Sequence, residues 1–227
     1  MEPENKQEAG QPVVKHPRHT PLYTIIVVLY WIVAKLLFFM RFEGLEKIPK
    51  DGPCILMGNH QTILDPVTLA LCVRNREIRF MGKKELFQNP VLGTIFRLAH
   101  AFPVDRGNAD MAAMRTALGV LKDGDTLGIF PEGTRSSTGH MLPLLGGASM
   151  IALRSKCTVI PVYIDGNYRL FRPVTVRVGD PIEMADLTCG RINKETCDEL
   201  TRRMEASFAR LSGGRSLPPP AEEQTNA

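Results

Sequence analysis

The chain has 227 residues, 44% of them hydrophobic, and a formal net charge of +4. That apolar share is enough to close a full core, which excludes a chain that stays disordered throughout. The charge surplus is too small and too dispersed for a nucleic-acid binder, and no module of interleaved basic and aromatic residues accompanies it, so no nucleic-acid partner is expected.

Residues 1–20 are polar and proline-containing, and read as a disordered arm. The stretch from Leu22 to Met40 is almost unbroken in its apolar character. As a helix it would be about 28 Å long, long enough to span a bilayer core with no room to spare. A helix broken near Trp31 and lying in one leaflet fits the same residues. So does a soluble core helix, although apolar side chains on so many faces weigh against it. Lys35 sits where its stem can reach headgroups, Tyr23, Tyr30 and Trp31 suit an interface, and Lys15, Arg18 and Arg41 flank the stretch. Residues 21–41 are therefore taken as a membrane-associated helical segment.

Further along, apolar runs alternate with helical spacing. Strands are expected at Cys54 to Met57, Arg79 to Met81, Ala101 to Val104, Thr126 to Phe130, Thr158 to Ile164 and Val174 to Val178. Helices are expected from Pro66 to Leu71, Ala109 to Leu121, Ala148 to Leu153 and Lys194 to Leu211. In the last of these, Cys197, Leu200, Met204, Phe208 and Leu211 form one stripe. The alternation predicts an α/β fold, a mixed and mostly parallel sheet flanked by helices with the membrane-binding segment in front. From Ser212 onward, Gly213-Gly214 and Pro218-Pro219-Pro220 read as a disordered tail.

Three segments carry chemistry. Gly58 to His60 follow the first apolar strand, where a loop can expose the imidazole, and Asp65 follows in Asn59-His60-Gln61-Thr62-Ile63-Leu64-Asp65. Imidazole accepts and returns a proton near neutral pH, and a carboxylate beside it fixes the tautomer and stabilises the imidazolium. No serine or cysteine is tied to the motif, and Thr62 is the nearest hydroxyl. The pair fits a general base acting on a substrate hydroxyl, without a covalent enzyme intermediate. Alone, it reads as well as a strand-end histidine beside a helix cap.

The second segment, Phe130-Pro131-Glu132-Gly133-Thr134-Arg135-Ser136, leaves the end of another strand. Gly133 permits positive φ, Thr134 and Arg135 offer donors suited to phosphate, and Glu132 can take a hydroxyl or orient the arginine. An ordinary turn with a surface ion pair is the plain alternative. In the third, Ala101-Phe102-Pro103-Val104-Asp105-Arg106, Arg106 can supply the other half of a phosphate clamp or be a solvated strand end.

Taken together these motifs resemble the glycerophospholipid acyltransferase family, and are most similar to 1-acyl-sn-glycerol-3-phosphate (lysophosphatidic acid) acyltransferases of bacterial type. The likeness rests on the His60 to Asp65 block, Phe102 to Arg106, Phe130 to Ser136, and Val159-Ile160-Pro161-Val162, in the family's order between about residues 42 and 180. The chain departs from it at Met141-Leu142-Pro143-Leu144-Leu145, where many relatives carry polar residues. A second departure is Pro103, where relatives usually have a β-branched residue.

The resemblance implies that His60 is the general base and Asp65 its orienter. Arg106, Glu132, Gly133, Thr134 and Arg135 would bind the acceptor's phosphate, with Val159 to Val162 walling the site. Lys83 and Lys84 would lie near the acyl donor or the phosphate, unless they are a solvated helix start. It implies acyl transfer from an acyl thioester, acyl-CoA or acyl carrier protein, to the free sn-2 hydroxyl of 1-acyl-sn-glycerol 3-phosphate, making phosphatidic acid. The same chemistry on glycerol 3-phosphate or another lysophospholipid is the first alternative. A non-catalytic lipid-binding protein, which would need no general base, is the second.

No cofactor is expected beyond the thioester co-substrate. No metal is expected either, because Cys54, Cys72, Cys157, Cys189 and Cys197 stand at no metal-ligand spacing. The partners implied are a membrane lipid substrate, the thioester donor and a phospholipid bilayer. The enzyme would be membrane-associated, its active site facing the cytoplasm. Residues 42–211 would form the acyltransferase domain between the membrane segment and a tail at 212–227.

Overall fold

A computed structural model describes residues 21–73, 78–98, 100–104 and 111–214. Strands β1 (Arg41–Glu43), β2 (Cys54–Gly58), β3 (Ile78–Lys83), β4 (Phe102–Val104), β5 (Thr126–Ile129), β6 (Thr158–Asp165) and β7 (Thr175–Val178) form one sheet in the order β1-β7-β6-β2-β5-β3-β4. Pairing is parallel everywhere except between β6 and β7. This is the mixed, mostly parallel α/β sheet that the alternating pattern predicts. Helices α1 (Pro21–Leu37), α2 (Asp65–Cys72), α3 (Pro90–Leu98), α4 (Met111–Lys122), α5 (Gly146–Ser155) and α6 (Lys194–Ser212) accompany it.

The continuous apolar run of β2 is buried along its whole length, as expected of a parallel strand covered on both faces. Successive side chains alternate between those faces. Cys54 and Leu56 join a core that includes Tyr23 and Ala34 of α1 and Leu69 of α2. Ile55 and Met57 join the opposite core, with Ala117 of α4, Leu153 of α5 and Leu200 and Phe208 of α6. The α6 stripe is thus buried as its spacing predicts. A reciprocal capping box between Asn193 and Thr196 starts that helix, and Gly213, at φ 63°, ends it.

Several local expectations change. The apolar N-terminal stretch is one unbroken helix, with no break at Trp31, and it stops at Leu37. Phe38 and Met40 are core residues, and Arg41 already pairs with Thr175. No helix among the described residues is long and apolar enough to cross a membrane. Neither β1 nor α3 is expected from the sequence. A three-residue strand carries no period to detect, and Pro-Val-Leu-Gly-Thr looks like a turn.

Pro161 reads as an edge or bend, yet it lies in β6, between β2 and β7. Its carbonyl accepts from Gly179 at 2.8 Å, beyond the last β6–β7 pair at Val162 and Val178, so the missing N–H falls where that ladder has ended. Pro103 pairs with Gly82 on the edge strand β4, the ordinary place for a strand proline. Residues 1–20 and most of the 212–227 tail lie outside the described residues.

Candidate active site

Strands β2, β3, β4, β5 and β6 all run in one direction, so their carboxyl ends share one edge of the sheet. That edge is where open α/β sheets place their ligands. His60 follows β2, Glu132 to Arg135 follow β5, and Lys83 ends β3. The strand between β2 and β3 is β5, which puts the lysine about 10 Å from the histidine's strand.

The His60 loop is bound from four directions. Asn59, fully buried, donates its side-chain amide to the carbonyl of Ile164 at 3.1 Å and accepts from the N–H of Ile164 at 2.7 Å. A side chain thereby continues the β2–β6 ladder by one more step. The His60 N–H donates to Glu132 Oε1 at 2.7 Å, and the Ser136 N–H donates to the His60 carbonyl at 2.8 Å. The main chain of the histidine is therefore held on both sides by the second motif. Its ring stacks on Phe130 with centroids 4.2 Å apart, and Phe130 stacks in turn on Phe80 at 6.2 Å. Gly58 makes room for this, because a Cβ there would stand 3.1 Å from the Phe130 ring and 2.9 Å from Leu69.

Asp65 opens α2 with Pro66 behind it, and its carboxylate turns back over the loop. Oδ2 lies 3.0 Å from His60 Nδ1 and accepts the Gln61 and Thr62 N–H groups, each at 2.6 Å; Oδ1 accepts the Thr62 hydroxyl at 2.9 Å. The positive end of the helix adds to the stabilisation of this carboxylate. An acceptor facing Nδ1 places the ring proton there and leaves the Nε2 lone pair as the base. The Thr62 hydroxyl is engaged by Asp65 and is not presented as a nucleophile. Burial pushes the Cys72 thiol up to about 12, so it stays a protonated core side chain.

The remaining expected residues fall differently. Glu132 is paired with a substrate hydroxyl or an arginine in the sequence reading, but it is only 4% exposed. Its second oxygen accepts the Leu142 N–H at 2.7 Å. Both oxygens therefore fasten main chain, and burial raises its carboxyl to about 7 against those two donors. Gly133 takes φ 70°, and a Cβ there would meet Leu145 at 2.4 Å.

Thr134 and Arg135 are exposed, and Arg135 directly precedes the Ser136 that holds His60. Lys83 and Lys84 are exposed, with Lys83 Nζ 3.7 Å from Glu85. Asp105 and Arg106 lie outside the described residues. Val159, Ile160 and Val162 are fully buried in β6, so they belong to the core and do not wall the site.

A hydroxyl cluster behind the dyad has no trace in the motifs. Tyr30 of α1 and Tyr168, in the turn after β6, each lie 2.8 Å from the Thr68 hydroxyl, one turn beyond Asp65 on α2. Burial, and after it the Asp65 charge, holds the Tyr168 phenol well above its ordinary range, and burial with the same charge pushes Tyr30 up to about 12. Both remain O–H groups at any ordinary pH. Sequence separations of 38 and 100 residues hide this cluster from any local pattern. Asn59 and Ser136 sit inside the motifs, and only their roles were illegible.

Comparison with known proteins gives the family. The sequence model of the family described as Acyltransferase matches residues 39–165. A 1-acyl-sn-glycerol-3-phosphate acyltransferase of Streptococcus pneumoniae is 32% identical over 200 residues, covering 85% of this chain and 72% of that protein. One of Bacillus subtilis is 36% identical over 160 residues, covering 68% of this chain and 79% of its own. The crystal structure of the 1-acyl-sn-glycerophosphate acyltransferase of Thermotoga maritima superposes with a TM-score of 0.65 at 27% identity, over 85% of this chain and 79% of that one. With a matching family model over more than half its length and relatives alike across most of it, the chain belongs to the acyltransferase family and is an O-acyltransferase.

Proposed function

We propose that this enzyme transfers an acyl chain from an acyl thioester, acyl-CoA or acyl carrier protein, to the free sn-2 hydroxyl of 1-acyl-sn-glycerol 3-phosphate, yielding phosphatidic acid. The observation that carries the reading is the 3.0 Å bond from His60 Nδ1 to a buried Asp65, which leaves Nε2 as acceptor at the sheet's carboxyl edge. His60 Nε2 takes the hydroxyl proton as the oxygen attacks the thioester carbonyl. Asp65 stabilises the imidazolium. Collapse of the tetrahedral intermediate breaks the C–S bond, and the imidazolium returns the proton to the departing thiolate. No side chain is acylated.

Arg135 and Arg106 hold the acceptor's phosphate in this scheme, with Thr134 assisting and Lys83 and Lys84 near the donor's anionic end. Glu132 acts on the protein, holding the His60 main chain. Two arginines favour a phosphate monoester over a phosphodiester lysolipid. The names of the relatives support the acceptor.

The enzyme works at a membrane whose cytoplasmic face supplies the donor, with α1 seated in the plane of the bilayer. Support comes from its outward side chains: Ile25, Val28, Leu29, Trp31 and Leu36 are all exposed. At 17 residues the helix measures about 26 Å, and its other face is packed on the domain, with Tyr23 and Ala34 buried.

The test is acyl transfer by the purified protein in detergent or liposomes, using labelled acyl-CoA or acyl carrier protein and a panel of acceptors, beside His60→Ala. The expected product is phosphatidic acid from 1-acylglycerol 3-phosphate, with turnover lowered by about 10²-fold or more in the variant. Preference for glycerol 3-phosphate or another lysolipid would keep the chemistry and replace the acceptor. No transfer to any acceptor would leave a lipid-binding protein.

A further inference from the structure

We propose that the turn between β6 and β7, with Leu170 and Phe171 at its tip, is a second lipid-contact surface that enters a bilayer of anionic phospholipid beside α1. The proposal rests on the in-plane seating of α1 given above. Leu170 is 60% and Phe171 65% exposed, and the Phe39 ring, itself 49% exposed, lies 6.5 Å from that of Phe171. Scattered exposed apolar side chains need no explanation, but a contiguous patch does.

The backbone presents the two exposed rings at a cost. Phe39 and Phe171 take φ of 41° and 58°, a region that bulky side chains avoid and that concentrates at functional sites. The tip is also fixed to the end of α1. Phe171 N–H donates to the Leu37 carbonyl at 2.7 Å, and Val174 N–H to the Phe38 carbonyl at 3.0 Å. The tip therefore stays next to the carboxyl end of α1, beside the exposed Leu36.

Charge selects the occupant. Arg169 and Arg172 flank the tip, and Lys35 and Arg41 are exposed at the same end of α1. Residues 21–42 and 166–174 contain no aspartate or glutamate. An apolar tip inside a cationic collar matches acyl chains beneath anionic headgroups.

The experiment is partition of the full chain onto phosphatidylcholine vesicles with and without phosphatidylglycerol. Replacing Leu170→Ser together with Phe171→Ser should lower partition by about tenfold or more. Arg169→Gln together with Arg172→Gln should reduce the preference for phosphatidylglycerol by roughly fivefold per arginine. Thermal melts and acyl transfer to a short-chain acceptor in detergent should match the parent, since all four side chains are exposed. Leu170→Trp on a Trp31→Phe background supplies a direct readout, a blue-shifted emission quenched by brominated acyl chains.

Parental binding by the serine variant, or no shift at position 170, overturns the proposal. Leu29→Ser with Leu36→Ser separates the two readings, because loss of binding there but not at the tip leaves α1 as the sole contact. A parent chain that binds neither vesicle removes the seating of α1 and the tip with it. A change of oligomeric state in the serine variant would assign the tip to a contact between copies, and would equally overturn the proposal.

Discussion

At Glu132 a carboxylate sits in the core of the site with one oxygen on the His60 N–H and the other on the Leu142 N–H. A buried group used this way sets where the histidine's main chain lies, so its loss should appear in turnover more than in acceptor affinity. Glu132→Gln keeps the shape, but the amide nitrogen cannot accept from one of the two donors. The unsatisfied group should destabilise the fold by about 1–3 kcal/mol. The expected kinetic outcome is a fall in kcat of roughly 10- to 100-fold with a smaller change in KM. A change confined to KM would return Glu132 to substrate binding.

The raised carboxyl of Glu132 has a pH signature. Its folded value of about 7 stands above the ordinary value of 4.5 expected of the unfolded chain, so the folded state retains the proton longer. The contribution is full below about pH 4.5 and is lost as pH rises through about 7, a total of about 3 kcal/mol. Urea unfolding between pH 5 and pH 8 should show the parent losing stability relative to Glu132→Gln as pH rises. Parallel curves would remove this residue as the cause.

At the scale of elements, α1 and the β6–β7 turn meet α2 through the Tyr30, Thr68 and Tyr168 hydroxyls. Since α2 begins with Asp65, this cluster holds the helix whose first residue orients the imidazole. Tyr168→Phe removes one of these bonds without changing shape. It should cost about 0.5–1.5 kcal/mol in thermal or urea unfolding. It should also lower kcat severalfold while leaving KM near the parent value. Unchanged kcat with lowered stability would make the cluster a packing device alone.

Legibility among elements follows their length and period. The α6 stripe, at helical spacing, and the buried runs of β2, β5 and β6 were readable, because each presents its own signal within a dozen residues. The short strand β1 was not. It is a strand only because β7 lies beside it, pairing Phe42 with Val176. The hydrogen-bonded pair His60 and Asp65 was readable as residue types at a spacing, whereas the stacking of Phe130 on His60 depends on β2 and β5 being neighbours.

Over the whole molecule, α1 is both an outer surface and part of the core. Its inner side and the following turn bury Tyr23, Ala34, Phe38 and Met40, and its outer side exposes Leu29 and Leu36. Deleting residues 1–40 should therefore destabilise the domain by more than about 5 kcal/mol, as well as removing an apolar surface. Denaturant melts of the truncated chain should show an early or absent cooperative transition. A truncated chain that melts like the parent would mean that the helix rests on an independently stable domain.

The mixed, mostly parallel α/β fold is legible in the chain itself, and so is a set of groups able to move a proton and bind an anion. Proton transfer and anion binding need particular functional groups at short spacing, and a parallel sheet needs long apolar runs between helices. What those groups face depends on packing between segments far apart in the chain. Glu132 became a main-chain clasp because β2 and β5 adjoin, and Val159 to Val162 became core because β6 lies between β2 and β7. The apolar N-terminal stretch stopped at Leu37 because the residues after it enter the sheet. In each case the deciding partner lies far along the chain, and burial depends on partners that no local window contains.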